Sequence, residues 1–292
     1  MPYQHTAFAA VLALLTLVPA ASAQPLGRGE VLLETREHAP WPGPETYSWW
    51  LSLPTDTYAG LTAFPLIVPT PRFDGRAPML AFGGGVFVGD GDTIYRWHDL
   101  YTFTPVLEHE HEISDLAPRG GNFLAAERFG GTLIEFNLAG RVREYPFPGG
   151  EHIELLSDQC TLLYTGGAGD NRVRRMNLCT GRQLADFALL PDATYAGAIR
   201  QLPSGEILVA DGNAIRRFSA TGSLTASYDF PGVTHIALTA RGTRFHAAGV
   251  FEGVSALREY AVHQTAPLRT LPLGNPGMQT VLTTEQVTDL TV

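Results

Sequence analysis

The feature of this 292-residue chain that most restricts its fold is a four-residue segment that recurs at nearly constant spacing. The copies read IYRW, LIEF, VRRM, IRRF and LREY, and they end at Trp97, Phe136, Met176, Phe218 and Tyr260, with spacings of 39, 40, 42 and 42 residues. In each copy, short apolar segments alternate with turns that contain Gly, Asp or Asn. Four short strands in about forty residues are typical of one β-propeller blade, whereas a parallel β-helix has a shorter repeat. The repeat therefore predicts an all-β propeller with four-stranded antiparallel blades.

The number of blades depends on the segments that flank the repeats. Five copies span about Met79 to Leu273, and the segments before and after them contain enough apolar residues for four more strands. A ring closes most securely when both ends of the chain contribute to one blade, because no strand edge is then left unpaired. We therefore expect one propeller domain over residues 24–292, with six blades and with seven as the alternative.

Two segments carry a resemblance to known propellers. Residues 202–230, LPSGEILVADGNAIRRFSATGSLTASYDF, resemble the repeat of NHL, streptogramin-lyase-like and senescence-marker-protein-30-like propellers. Residues 158–187, DQCTLLYTGGAGDNRVRRMNLCTGRQLADF, are similar to blades of exported bacterial propellers. The resemblance implies the fold, but it leaves the function open because these families include lyases, lactonases and pure binding modules. We expect an exported binding or scaffold module, with a metal-dependent lyase or lactonase whose site lies at the central channel mouth as the alternative.

The beginning of the chain, MPYQHTAFAAVLALLTLVPAASAQP, has the pattern of an export signal. An apolar run from about Ala7 to Ala20 precedes the small residues Ala21, Ser22 and Ala23, which fit a cleavage site. We expect a signal peptide over residues 1–23 and a secreted or periplasmic mature protein, with an uncleaved anchor as the alternative. No later segment is apolar enough for a membrane span.

The charge of the chain restricts its partners. The formal net charge is −9, and all 20 basic residues are arginine. An acidic protein is poorly suited to bind nucleic acid or an anionic membrane. The absence of lysine also excludes Schiff-base chemistry and a P-loop lysine. The expected partner is a small molecule, a glycan or a protein, and the chain is expected to be a monomer.

Cys160 and Cys179 are the only cysteines, and a hairpin signal separates them. Symmetric pairing of the two strands about Gly169 and Asp170 places the cysteines opposite each other. Directly opposed residues in an antiparallel pair lie close enough for a disulfide bond, which an oxidising compartment would preserve. We predict a disulfide, and two free buried thiols are the alternative.

Histidines recur at one position of the repeat. Alignment of the copies places Ile153, Ile199 and Ile236 at the same point, and the residues before them are His152, Ala198 and His235. The first strand of each propeller blade lines the central channel, so these residues should stand at its mouth. In the copy that opens with EHEHE, His111 or His109 takes this position, with a register that the sequence leaves open.

These histidines suggest a metal site. Three neutral imidazoles, from His111, His152 and His235, could bind a divalent ion, which is the candidate cofactor. Glu112 and Glu151 could orient the ligands or act as a base. The alternatives are histidines that bind neighbouring backbone and histidines that never meet. The EHEHE run also fits a charged, solvent-facing strand, and the sequence assigns no catalytic residue.

Overall fold

The computed structural model describes residues 31–37, 46–52, 62–66, 78–82, 85–99, 102–128, 131–190, 193, 195–239, 241–251, 254–272 and 277–283. The elements in these residues are all β-strands. A search of the same residues for a helix with the length and apolarity needed to cross a bilayer finds none. The predicted signal peptide, residues 1–23, lies outside the described residues.

The strands are grouped into short antiparallel sheets in chain order. The first three strands are β1 (Val31–Glu37), β2 (Thr46–Ser52) and β3 (Thr62–Leu66). Blade 1 contains β4 (Met79–Phe82), β5 (Gly85–Asp90), β6 (Thr93–Asp99) and β7 (Thr102–Glu108). Blade 2 contains β8 (Ile113–Arg119), β9 (Asn122–Glu127), β10 (Thr132–Asn137) and β11 (Gly140–Pro146).

The third blade has additional strands. Blade 3 contains β12 (His152–Leu155), β13 (Thr161–Thr165), β15 (Arg172–Asn177) and β16 (Arg182–Gln183), and β17 (Ala188–Leu189) also pairs with β15. A separate two-stranded sheet joins β14 (Gly167–Ala168) to β18 (Tyr195–Ala196).

The last two blades again have four strands each. Blade 4 contains β19 (Ile199–Gln201), β20 (Ile207–Ala210), β21 (Ala214–Phe218) and β22 (Leu224–Asp229). Blade 5 contains β23 (Val233–Leu238), β24 (Arg244–Phe251), β25 (Val254–Ala261) and β26 (Arg269–Pro272). The final strand is β27 (Gly277–Thr283).

The repeated four-residue segments occupy one place in the fold. Each lies on the third strand of its blade, namely β6, β10, β15, β21 and β25. The repeat therefore predicts the strand order within a blade, and the chain is an all-β propeller with four-stranded antiparallel blades. Five blades of consecutive strands lie between Met79 and Pro272, compared with the six expected for the complete ring.

A further four-stranded sheet contains both ends of the described chain, in the order β27-β1-β2-β3. Strand β1 lies between two partners, because Val31 is opposite Ser52 of β2 and Thr283 of β27. Strand β27 also lies beside β23 of blade 5 and β4 of blade 1. We call this sheet the terminal sheet.

The core consists of apolar layers between successive blades. The layer between blades 1 and 2 contains Phe87 and Phe123, whose ring centroids are 4.5 Å apart. The next layer contains Phe147 and Tyr164, 4.7 Å apart. Successive residues of a strand point to opposite faces, so each middle strand contributes to the layers on both sides of its blade. Burial of these aromatic and aliphatic side chains fixes the blades against each other.

The predicted disulfide between Cys160 and Cys179 is present, with a Cα–Cα distance of 5.2 Å. The predicted register of its hairpin is wrong by one residue. Thr161 lies opposite Asn177, and the carbonyl of Cys160 accepts a hydrogen bond from the amide of Leu178 at 2.7 Å. The hairpin is therefore centred on Gly169 alone, and Cys179 lies one residue beyond the position opposite Cys160.

Candidate functional site

The innermost strands define the channel mouth. Strands β4, β8, β12, β19 and β23 lie next to one another in that order. His152 is the first residue of β12 and lies opposite Thr165 of β13. His235 is near the start of β23, opposite Ala248 of β24. The alignment of the repeats therefore locates both histidines correctly at the start of innermost strands.

The imidazole rings of His152, in blade 3, and His235, in blade 5, lie close together, although blade 4 lies between these blades. Their centroids are 6.1 Å apart, and the rings are nearly perpendicular. Blade 4 has Ala198 at the equivalent position, preceded by Gly197. A Cβ atom on Gly197 would lie 2.8 Å from the carbonyl oxygen of Thr234, whose hydroxyl lies 2.8 Å from Nδ1 of His235. The small residues of blade 4 therefore allow the two histidines to approach each other.

His152 is held by a phenol and faces a carboxylate. Its Nε2 atom forms a 2.7 Å hydrogen bond with the hydroxyl of Tyr195, on β18. Its Nδ1 atom lies 3.8 Å from Oδ2 of Asp115, on β8. This oxygen accepts a hydrogen bond from the amide of Ile153, and Oδ1 accepts one from the amide of Leu116. Two backbone amides thus fix Asp115 beside the imidazole.

A second group of charges lies two residues further along β12. Glu154 accepts a hydrogen bond from the amide of Gln201 at 2.8 Å and lies 3.7 Å from Nη1 of Arg200. Burial raises the pKa of Glu154 to about 7, although Arg200 and the Gln201 amide oppose the shift, and the Asp115 carboxylate raises it further. Burial also raises the pKa of Asp115, against the effects of Arg200 and the two amides. The innermost strands β8 and β12 therefore carry two carboxyl groups, Asp115 and Glu154, whose pKa values are raised by burial.

The EHEHE run forms a loop between blades 1 and 2. Strand β7 ends at Glu108 and β8 begins at Ile113, so residues 109–112 do not form the extended strand that alternation suggests. His111 is exposed, and its ring centroid lies 6.2 Å from that of His109. Within the described part of the chain, no three His, Cys, Asp or Glu side chains form a group that could hold a metal. His152 and His235 thus lie close together, whereas His111 lies on a separate loop.

Glu112 and Glu151, which were predicted to orient the metal ligands or to act as a base, both form ion pairs with Arg128. Nη1 of Arg128 lies 2.9 Å from Glu112, and Nε of the same guanidinium lies 3.3 Å from Glu151. These ion pairs connect the entry loops of blades 2 and 3. The geometry therefore supports a structural role for both carboxylates.

Sequence reasoning missed Tyr195, Asp115, Glu154 and Arg200. Glu154 had a usable signal, because it follows His152 by two residues and side chains at i and i+2 share one face of a strand. The segment that contains Tyr195 has no strand pattern, since its pairing with β14 involves only two residues of each strand.

Of the comparisons with known proteins, the one with solved structures gives matches. No protein-family model matches the chain. No curated protein matches it either. Among solved structures, a hydrazine synthase of Kuenenia stuttgartiensis has 12% identity and a TM-score of 0.48, with 56% of this chain and 49% of that chain covered. The chain thus spans about half the length of that structure.

Two further structures have similar scores. A streptogramin B lyase has 15% identity and a TM-score of 0.48, with coverage of 67% of this chain and 71% of that chain. A computationally designed protein, Ika8, has 14% identity and a TM-score of 0.46, with coverage of 72% and 66%. The propeller fold of the chain is shown by the strand order described above, and the identity to each of these structures is 15% or lower.

Proposed function

We propose that the protein is an exported β-propeller that binds a polar ligand at the mouth of its central channel. The observation that supports this proposal is the meeting of His152, His235 and Tyr195, which come from three separate parts of the ring. Imidazole and phenol groups both donate and accept hydrogen bonds, and their rings provide apolar contact area. A small molecule, a glycan or an exposed side chain of a partner protein could use these groups.

We also propose a ring of six blades, in which the terminal sheet is the sixth. The position of β27 supports this count, because it pairs with β1 and lies beside the innermost strands of blades 5 and 1. Such a ring leaves only short, protected strand edges, so a monomer is the expected state.

Export is supported by two observations. The apolar segment before Gln24 has the pattern of a signal peptide. The Cys160–Cys179 disulfide fits an oxidising compartment, which would be the periplasm or the cell exterior.

A metal-dependent lyase or lactonase is the second candidate, and the approach of His152 to His235 favours it. In this case a divalent ion would bind these imidazoles, with His111 as the third predicted ligand. The binding module is the better-supported function, because His152 is engaged with Tyr195 and because Arg128 binds both Glu112 and Glu151.

A ligand screen by saturation-transfer NMR tests the site. The panel contains neutral mono- and disaccharides, small hydroxy acids and tripeptides. We expect a compound that binds the wild type and loses at least about tenfold in affinity in the His235→Ala and Tyr195→Phe variants, a loss equal to one missing hydrogen bond of about 1.4 kcal/mol. His263→Ala, at an exposed histidine of blade 5, is the matched control. If a variant that carries both substitutions binds the compound as tightly as the wild type does, the ligand binds elsewhere and the proposal is wrong.

Metal analysis of the purified protein distinguishes the second candidate. An enzyme of that kind should contain one equivalent of a divalent ion, and His152→Gln and His235→Ala should each remove it. Loss of this ion should also abolish hydrolysis of a lactone panel. Retention of the metal by both variants would exclude the channel-mouth site as its location.

A further inference from the structure

A cavity of about 290 Å³ lies at the end of the innermost strands that is opposite the histidines. Its lining comes from three neighbouring innermost strands, because Ser157 follows β12, Gln201 ends β19 and Leu238 ends β23. Strand β12 begins at His152 and ends at Leu155, which lies about 10 Å further along the channel. The cavity is therefore separate from the channel mouth.

Two turns form one wall of the cavity, and each is held by its own backbone hydrogen bond. In blade 4 the amide of Gly205 donates to the carbonyl of Leu202 at 2.8 Å, and in blade 5 the amide of Gly242 donates to the carbonyl of Thr239 at 2.8 Å. A Cβ atom on Gly242 would lie 2.2 Å from Cδ of Pro203, so the two turns pack directly against each other. This wall is therefore in place before any ligand binds.

Gln201 provides a fixed amide group in the lining. Its Oε1 atom accepts a hydrogen bond from the backbone amide of Ser157 at 2.8 Å, and its own backbone amide donates to Glu154 at 2.8 Å. With the oxygen bound in this way, the NH₂ group of the side chain remains to donate to a ligand. Ser157 and Thr239 add two hydroxyl groups to the lining. The Thr239 hydroxyl donates to the carbonyl of Arg244 at 3.0 Å, and its oxygen can still accept a hydrogen bond.

The lining is neutral and partly apolar. Each described residue that lines the cavity is uncharged, and Leu202, Pro203 and Leu238 contribute apolar surface. An ionic ligand would lose part of its hydration there without gaining an opposite charge. A neutral molecule with several hydroxyl groups and an apolar face would find partners for both. The volume lies at the lower end of the range for small-molecule pockets, so it suits one ring better than a chain of rings.

We propose that this cavity binds a neutral hydroxylated ring of the size of one sugar unit. The NH₂ group of Gln201 donates to one hydroxyl oxygen of the ring, and the hydroxyl groups of Ser157 and Thr239 exchange hydrogen bonds with its neighbours. The leucine and proline side chains contact the C–H face of the ring. The site contains no residue of the channel mouth, so this proposal does not depend on the function proposed above.

Titration by saturation-transfer NMR tests the proposal with D-glucose, D-galactose, D-mannose and myo-inositol as probes. We expect saturable binding of at least one of them to the wild type at millimolar concentrations. Gln201→Leu preserves the size of the side chain and should weaken binding at least about tenfold, as expected for one lost hydrogen bond. Ser157→Ala, which changes only an exposed hydroxyl, should weaken it in the same direction.

Two control variants locate the bound ring. Gln264→Leu makes the same replacement at an exposed glutamine of blade 5 and should retain the wild-type affinity. His235→Ala changes the channel mouth and should retain it as well. Circular dichroism establishes that each variant is folded. A loss of binding in His235→Ala with wild-type binding in Gln201→Leu would place the ring at the channel mouth and overturn the proposal.

A charged analogue tests the class of ligand. A compound with a carboxylate or a phosphate in place of one hydroxyl group of the bound probe should bind more weakly than the probe itself, because the lining offers no opposite charge. Equal or tighter binding of the charged compound would contradict the neutral class. If none of the four probes binds the wild type, or if Gln201→Leu and Ser157→Ala both bind as the wild type does, the proposal is wrong.

Discussion

At the scale of single residues, Glu154 should control how stability depends on pH. Burial raises its pKa from 4.5 to about 7, so the folded state favours the protonated carboxyl. This stabilisation is complete below the unfolded pKa and is lost as the pH rises through 7. The difference corresponds to at most roughly 3 to 4 kcal/mol, at about 1.4 kcal/mol for each pH unit.

In the Glu154→Gln variant, the side chain at position 154 is neutral at every pH. Urea unfolding at pH 5 to 8 should therefore show a smaller decrease in the free energy of unfolding for this variant than for the wild type. Burial also raises the pKa of Asp115, which acts in the same direction in both proteins. Glu144→Gln, at an exposed carboxylate of β11, is the control and should behave as the wild type. Identical pH profiles for Glu154→Gln and wild type would contradict the assignment.

At the scale of elements, the sequence predicted the strands and the disulfide of the Cys160–Cys179 hairpin correctly, but it predicted the wrong register. The turn residues and the apolar segments on either side of them predicted strands β13 and β15 and the disulfide of this hairpin. The register was missed because it depends on the bend before β13, where Asp158 accepts hydrogen bonds from the amides of Cys160 and Thr161 and Gln159 adopts a φ of 58°. Such a local bend leaves no repeat signal. The pairing of β14 with β18 involves only two residues of each strand, so it also leaves no repeat signal, and Tyr195 was missed with it.

The bridge should contribute to stability through the loop it closes. Its cysteines are 19 residues apart, for which a chain-entropy argument gives about 3 kcal/mol. Replacement of both cysteines by serine should reduce the free energy of urea unfolding by about this amount. In the wild type, a thiol-reactive dye should label neither cysteine in denaturant until a reductant is added. Labelling before reduction would show that the bridge does not form.

At the scale of the whole molecule, the repeat predicted the architecture because one blade pattern recurs and each copy must bury its faces against its neighbours. The contacts of the channel mouth are harder to predict, since they join residues of different blades. The alignment brought His152 and His235 to equivalent positions, but their approach depends on the small residues of blade 4. Closure of the proposed six-bladed ring would also be a long-range property, since it would depend on the pairing of β1 with β27.

Deletion of residues 277–292 tests this closure. It removes β27, which pairs with β1 and lies beside the innermost strands of blades 5 and 1, so three neighbours lose a partner. A loss of several kcal/mol in a domain of this size should lower the melting temperature by about 10 °C or more. Deletion of residues 284–292 alone retains β27 and is the matched control, with an expected change of a few degrees at most. Equal melting temperatures for the two truncated proteins would mean that β27 does not close the ring. The terminal sheet would then be an appendage, and a ring of six blades would be wrong.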